Sequence, residues 1–425
     1  MLNTCQAGWH RRIILSQQLF YCRDFFYSGR TQNAECERSS TMNDSRSGIP
    51  EAKKNGSAKA AIAGVAFVWF TTHFGGGFAS GAQLYSYFGR YGALCLVMPL
   101  LAMLYDAVFF GYALSFARRH QVYDYRSYND LFYGRFAPVF SNLFEIIYLV
   151  TMCLAPAVAF ATGGATLSAV TGMPYIVCTL LIGAFIFIIS VFGSGLVRKV
   201  SSILSIVIIA GLMLVYLPNI AAGAGSISSA VVGSFASGMS LKAALYSAFL
   251  YGTFQLINIA VFVQHAEAFE KPGDAVKSMG AGFVVNSLMM FIVSLGLLTI
   301  TENPEMAKQS VPTLFMVQQG VGSSFMNPVI SVLIILGAVS TAVNMVAAMV
   351  KRICSHITVN NSNGSVKITV IAALVCCLID FGIAQFGLLT LVQKAYSSLA
   401  YMEIPVILIP YIIHMIHSAV SRKTA

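Results

Sequence analysis

Residues 60–88 read AAIAGVAFVWFTTHFGGGFASGAQLYSYF, a membrane-length apolar segment interrupted at its midpoint by Gly75-Gly76-Gly77, with Gly81 one helical turn further on. A helix crossing lipid keeps its own hydrogen bonds, because hydrocarbon offers none in exchange. Backbone released at bilayer depth is tolerated only where it faces protein or a water-filled cavity, so the interruption marks a place for something polar. Discontinuous helices serve transporters in this way, turning half-helix ends and unwound carbonyls toward a solute or ion near the midplane.

The rest of the chain agrees with a bilayer setting. Hydrophobic residues make up 57% and charged residues 10%, and mean hydropathy is +0.74. At about 20 apolar residues per crossing, ten spans are expected, at 58–88, 91–117, 138–162, 171–192, 197–219, 241–265, 278–300, 327–350, 366–390 and 394–417. An even number puts both termini on one side. Lys and Arg then collect on that side, in the tail, at Arg118, Arg119, Arg126 and Arg135, at Arg198 and Lys199, at Lys271 and Lys277, at Lys351, Arg352 and Lys367, and at Arg422 and Lys423. The opposite side has Arg90, Lys242, Lys308 and Lys394. By the positive-inside rule the termini are cytoplasmic, and the net charge of +10 is topology, not a nucleic-acid footprint. A multi-pass protein of the plasma membrane is expected, with the lipid bilayer and a small-molecule substrate as its partners and no nucleic acid.

Residues 1–57 are polar and lack a sustained apolar signal core, so a disordered cytoplasmic tail is expected. Met42 opens a shorter polar leader, MNDSRSGIPEAKKNGSAK; translation starting there would make 1–41 an upstream extension. The cysteines within the spans show no metal-ligand spacing and read as small packing residues.

The ten spans divide into 58–219 and 241–417, separated by a stretch free of Lys and Arg from Ala221 to Ser240 and followed by a cytoplasmic terminus at 418–425. Five is odd, so the two halves have opposite topology. This is the arithmetic of an inverted repeat, which calls for a second interrupted helix at the matching place. Span six, SAFLYGTFQLINIAVFVQHAEAF at 247–269, offers Tyr251-Gly252-Thr253. Glycine is also common where membrane helices pack closely, and both readings of Gly252 stand. Gly75, Gly76, Gly77, Phe78, Tyr251, Gly252 and Thr253 are the candidate substrate contacts.

The motif GGGFASGAQLYSYFGRYG at 75–92 resembles the first-helix signature of the YkvI-like family of bacterial membrane proteins. SYNDLFYGRF at 127–136 resembles its polar loop helix after span two, VPTLFMVQQGVG at 311–322 its re-entrant segment before span eight, and VSTAVNM at 339–345 its span-eight signature. That family is similar to the amino acid, polyamine and organocation transporter superfamily. The resemblance implies an all-α LeuT-type fold of five plus five inverted helices, with helices one and six broken, and a secondary transporter working by alternating access. It further implies candidate Na+ ligands at the carbonyls of Thr71 and Phe74, the carbonyl of Gly337 and the hydroxyls of Ser340 and Thr341. Positions 337, 340 and 341 share one helical face, although membrane Ser and Thr also bond back to their own helix.

Two departures bear on coupling. The family pattern carries an acidic residue shortly after FASG, where this chain has Ala82 and Gln83. His73 stands where an aliphatic residue is expected, as a proton carrier, a substrate contact or a packing residue. Ionisable residues inside spans mark pathways or partners: Asp106 and Glu145 are the candidates for proton handling with His73, Asp380 lies in a peripheral helix, and Glu403 reads as solvated near a span end. There is no P-loop and no nucleophile elbow, so an enzyme is not expected. No cofactor is expected beyond Na+ or H+ as the coupling ion. The function expected is secondary transport of a small organic solute, an amino acid or related amine; the alternatives are a transporter-like receptor or sensor and an ion channel.

Overall fold

In the computed structural model, residues 51–192, 194–236, 238, 240–357 and 362–423 are described. The expected upstream extension and the tail up to Pro50 lie outside them.

The first apolar segment comes apart where glycine lets it. Helix α1, Glu51–His73, ends as the Gly75 N–H turns back to the His73 carbonyl at 3.0 Å and abandons the helical ladder. A single turn, α2 (Gly76–Ala79), follows, then Gly81 with φ +76°, then α3 (Ala82–Tyr87). Residues 51–57, expected as tail, extend α1; their Glu, Ala and Lys are good helix formers.

The remaining helices of the first half are α4 (Met98–His120), α5 (Tyr125–Tyr133, too short to cross), α6 (Ala137–Thr171), α7 (Tyr175–Phe192) and α8 (Ser194–Ala222). The Lys/Arg-free stretch expected as a plain loop holds α9 (Ala224–Ala236). The second half comprises α10 (Leu241–Gln255), α11 (Ile259–Phe262), α12 (Pro272–Leu298), α13 (Pro312–Gln319, short), α14 (Ser323–Ile357), α15 (Ser362–Ala384) and α16 (Leu388–Ser421). Among the described residues nine helical runs are long and apolar enough to cross a membrane, and the broken α1–α3 makes the tenth crossing. The chain is a multi-pass membrane protein. Its outward-facing Leu104, Phe192, Ile188 and Leu378 are exposed, a belt that water would not tolerate and lipid solvates.

The inverted repeat is visible in what packs on what. The second crossing of one half, α4, lies along the second of the other, α12, and the third crossings, α6 and α14, lie along each other. Each half also places one short helix between its second and third crossings, α5 in the first and α13 in the second. The two halves interlock within one compact unit, Glu51–Ala425.

Span six is interrupted, but not at its glycine. Tyr251-Gly252-Thr253 lies in regular helix, and the α-helix tightens into a 3-10 turn at Leu256–Asn258. Gly252 serves packing instead: a Cβ there would sit 2.7 Å from the Tyr105 ring of α4.

Candidate substrate and ion site

Around the first break the backbone is held by elements distant in sequence. Gly81 needs its left-handed φ, and a Cβ there would lie 2.7 Å from Thr313 Oγ1 and 3.1 Å from the Thr313 nitrogen. That closeness lets α13 dock: Thr313 N–H donates to the Ser80 carbonyl at 2.9 Å, and Tyr216 and Thr313 share a hydroxyl hydrogen bond of 2.7 Å. The re-entrant segment thus closes over the end of α2. Gly77 leaves room for Gln83, whose Nε2 would be 3.0 Å from a Cβ at that position.

His73 ties three spans together. Asn286 Nδ2 donates to the Gly282 carbonyl at 2.8 Å, leaving its Oδ1 to accept from His73 Nδ1 at 2.8 Å. His73 Nε2 then accepts from the Tyr251 hydroxyl at 2.7 Å, a tautomer assigned from the network. Phe74 and Phe78 pack ring to ring at 3.8 Å and Phe78 lies 5.4 Å from the His73 ring, while Tyr251 contacts Phe88 and Phe254. Aromatic side chains therefore fill the space between the breaks of α1 and α10.

On the other side of the first break, α2 packs on α14. The would-be Cβ of Gly75 lies 3.2 Å from Thr341 Oγ1, and that hydroxyl donates to the Gly337 carbonyl at 2.9 Å. Thr341 thus bonds back to its own helix and still turns its oxygen lone pairs toward the break, where Gly75 no longer donates to the Thr71 carbonyl. Gly75, next to Phe74, meets Thr341 and through it Gly337; the Thr71 hydroxyl is on the Val68 carbonyl at 3.1 Å, and Ser340 is half-buried on α14 next to Thr341.

The second break is capped by a residue that the sequence reading had placed in solvent. Glu403 is fully buried, and its Oε2 accepts from the Ile257 N–H, inside the 3-10 turn, at 3.1 Å. It stands just before a wide π turn at Ile404–Leu408, where Pro405 has no N–H to give the helix. Asp106 on α4 is also fully buried, within electrostatic reach of Glu403 and Tyr251. Among the described residues, both Asp106 oxygens, Glu403 Oε1 and Gln83 Oε1 are buried and find no hydrogen-bond partner. Glu403 and Gln83 are the site residues missed from sequence. Gln83 lies in the stretch, with Ala82, where the motif resemblance leads to the expectation of an acid; Glu403 stands out as ionisable inside a span but reads as solvated, because the Ile257 N–H that it meets lies 146 positions away.

Three expected residues sit elsewhere. Gly252 and Thr253 face α4: Thr253 Oγ1 donates to the Phe249 carbonyl at 2.7 Å and lies 3.2 Å from the Tyr105 hydroxyl. Glu145 pairs with Arg352 at the end of α14 and accepts from the Tyr125 hydroxyl at 2.8 Å, joining α6, α14 and α5. Among the described residues no three His, Cys, Asp or Glu side chains converge as a metal centre.

Among solved structures, a manganese transporter of Eremococcus coleocola, in complex with an aromatic bis-isothiourea substituted compound, overlaps this chain with a TM-score of 0.52 at 15% identity. The match covers 87% of this chain and 81% of that one. A point mutant of the same transporter gives 0.51 at 14% identity, covering 84% and 78%. The fold is that of the LeuT-type transporters. A Na+-coupled sialic acid symporter in a substrate-bound outward-open state matches at 0.44 and 13% identity over 82% of this chain and 86% of its own, a fit too loose to argue from. No family model and no curated protein matches the chain.

Proposed function

We propose that the chain is a secondary active transporter of a small organic solute, an amino acid or related amine, working by alternating access and coupled to Na+ or H+. The observation that carries this reading is the meeting of two interrupted spans, with Gln83, Asp106 and Glu403 presenting buried polar atoms that no group among the described residues satisfies. Such atoms are costly unless a ligand, ion or proton serves them. Freed backbone and aromatic rings suit the two ends of an amino acid: Gly76 and Gly77 of the first break supply N–H groups, Gly75 the turn that frees them, Phe78 a ring and Tyr251 a hydroxyl, with Gly252 and Thr253 shaping the wall behind.

Two seats for the coupling ion follow. A neutral set of hard oxygens, the carbonyls of Thr71, Phe74 and Gly337 with the hydroxyls of Ser340 and Thr341, suits Na+. The seat for a proton is Asp106, beside Glu403 and in reach of the His73–Tyr251 pair. Glu145, by its pairing with Arg352 and Tyr125, fits a role in closing one end of the bundle. The motif likenesses at 75–92, 127–136, 311–322 and 339–345 support membership of the YkvI-like branch of the amino acid, polyamine and organocation superfamily. The Lys/Arg asymmetry supports a plasma-membrane protein with both termini cytoplasmic.

The test is uptake into proteoliposomes holding the full chain, with a panel of amino acids and amines under an imposed Na+ or pH gradient. Accumulation of one solute class that is driven by a gradient supports the reading; equilibration that no gradient can push beyond the bath concentration overturns it. Thr341→Val, which removes the oxygen and keeps the shape, is expected to abolish Na+ drive. Asp106→Asn is expected to abolish H+ drive.

A further inference from the structure

Away from the helix breaks, the end of α4, the start of α12 and the end of α16 enclose a groove of about 1050 Å³. Its two ends differ in chemistry. At one end stand Arg119, His120 and His417, all exposed, with Ser418 and Ser421 beside them. At the other end the walls are Leu104, Val108, Val276 and Phe283. Leu104, Val108 and Val276 are 48%, 47% and 59% exposed, so the groove opens sideways onto the surface that faces lipid, not inward to the transport site.

Among the described residues no Asp or Glu lines this groove. Arg118, next door, is committed to the Tyr123 hydroxyl and the Glu270 carbonyl, whereas Arg119 has no ion pair among the described residues. The rim therefore presents the Arg119 guanidinium beside the imidazoles of His120 and His417, with no carboxylate to meet it among the described lining residues. Length narrows the occupant further. From Leu104 to Arg119 along α4 is roughly 22 Å at the helical rise, which matches half of a bilayer with its headgroup layer, about 20–22 Å. A free anion would use only the rim, and an apolar molecule only the walls.

We propose that the groove is a binding site for one anionic glycerophospholipid, its phosphodiester against Arg119, His120 and His417 and one acyl chain along Leu104, Val108 and Val276. Basic pockets between membrane helices hold anionic headgroups in this manner.

Gly280 gives a clean way to test it. It lines the groove, and a Cβ added there meets nothing within 4 Å, so Gly280→Leu fills the acyl channel without disturbing the fold. Gly382 on α15 is equally open and lies outside the groove, so Gly382→Leu is the control. The full chain, purified in mild detergent, is titrated with phosphatidylglycerol, phosphatidylcholine or water-soluble glycerophosphate, and bound species are counted by native mass spectrometry. Phosphatidylglycerol is expected to be retained over phosphatidylcholine. The Arg119→Ala/His417→Ala double variant should lower phosphatidylglycerol retention about fivefold or more and phosphatidylcholine retention by less, because the choline cation already offsets its phosphodiester at the rim; Gly280→Leu should lower both, and Gly382→Leu neither. Equal retention of the two lipids by the unaltered chain overturns the proposal. So does displacement by glycerophosphate, which would make the rim a simple anion site, or full retention in Gly280→Leu.

Discussion

The two interrupted spans occupy matching places in the two halves and reach their broken state by different chemistry. In the first span the interruption is local: Gly75 leaves the ladder, Gly81 adopts a left-handed conformation, and α13 donates to the buried carbonyl of Ser80. In the sixth the helix never unwinds. It tightens through Leu256–Asn258, with no glycine in the turn, and the N–H of Ile257 is taken by Glu403 from α16. One break is written into its own residues, and the other is imposed by a partner. The repeat conserves the position of a break while leaving open what makes it.

That contrast is broken most severely at Gly81. Gly81→Val puts a branched side chain at φ +76° and into both the hydroxyl and the backbone nitrogen of Thr313. The strain of a left-handed β-branched residue and the lost docking of α13 together are expected to cost on the order of 3 kcal/mol, read as a fall in the thermal unfolding temperature of the detergent-purified protein. Stability equal to the unaltered chain would show that α13 does not depend on the first break.

For the sixth span the equivalent attack is remote from the break. Glu403→Ala leaves the Ile257 N–H buried and unpaired, at a cost of about 1–3 kcal/mol, while Glu403→Gln keeps an acceptor there and should recover most of it. Equal unfolding temperatures for the two variants would mean that Glu403 does not hold the break and that the turn is self-supporting.

These two attacks explain what could be read before the structure. The first break was legible because Gly75, Gly76, Gly77 and Gly81 announce their own conformational freedom. The same logic misplaced the second break at Tyr251-Gly252-Thr253, because a glycine that makes room for Tyr105 looks the same in sequence as one that frees a backbone. Glu403 shows as an ionisable residue inside a span but reads as solvated, since burial beside a turn 146 residues away is a tertiary fact. His73 was singled out by being polar at the midplane, yet its partners Asn286 and Tyr251 lie on two other spans that no spacing rule connects to it. The ten crossings were legible from length and hydropathy; α9 was not, because a short helix of small residues carries neither a span's length nor a charge pattern.

Gly252→Ala separates packing from function in the misread segment. The added methyl would meet the Tyr105 ring at 2.7 Å, and overpacking of this kind costs about 1 kcal/mol or somewhat more. Solute binding, measured as ligand-induced thermal stabilisation, is expected to persist, because the changed contact faces α4. Loss of binding with unchanged stability would return Gly252 to the site and place the functional break where the glycine is.

The smallest effect belongs to a pair that touches neither break. Glu145 and Arg352 keep 19% and 28% of their side-chain surface exposed, so water and salt weaken their attraction, and the Tyr125 hydroxyl remains to hydrogen-bond whatever replaces the carboxylate. Glu145→Gln is therefore expected to change stability by less than about 1 kcal/mol, a difference that shrinks further as salt is raised. If the pair is only a brace, transport rates in proteoliposomes stay near those of the unaltered chain. If it is a latch that must open in each cycle, the same substitution speeds or slows transport while stability hardly moves, because the pair then contributes to one conformation and not to the other. A large loss of stability would contradict both roles and would make this ion pair, not the capped turn at Glu403, the main long-range tie between the two halves.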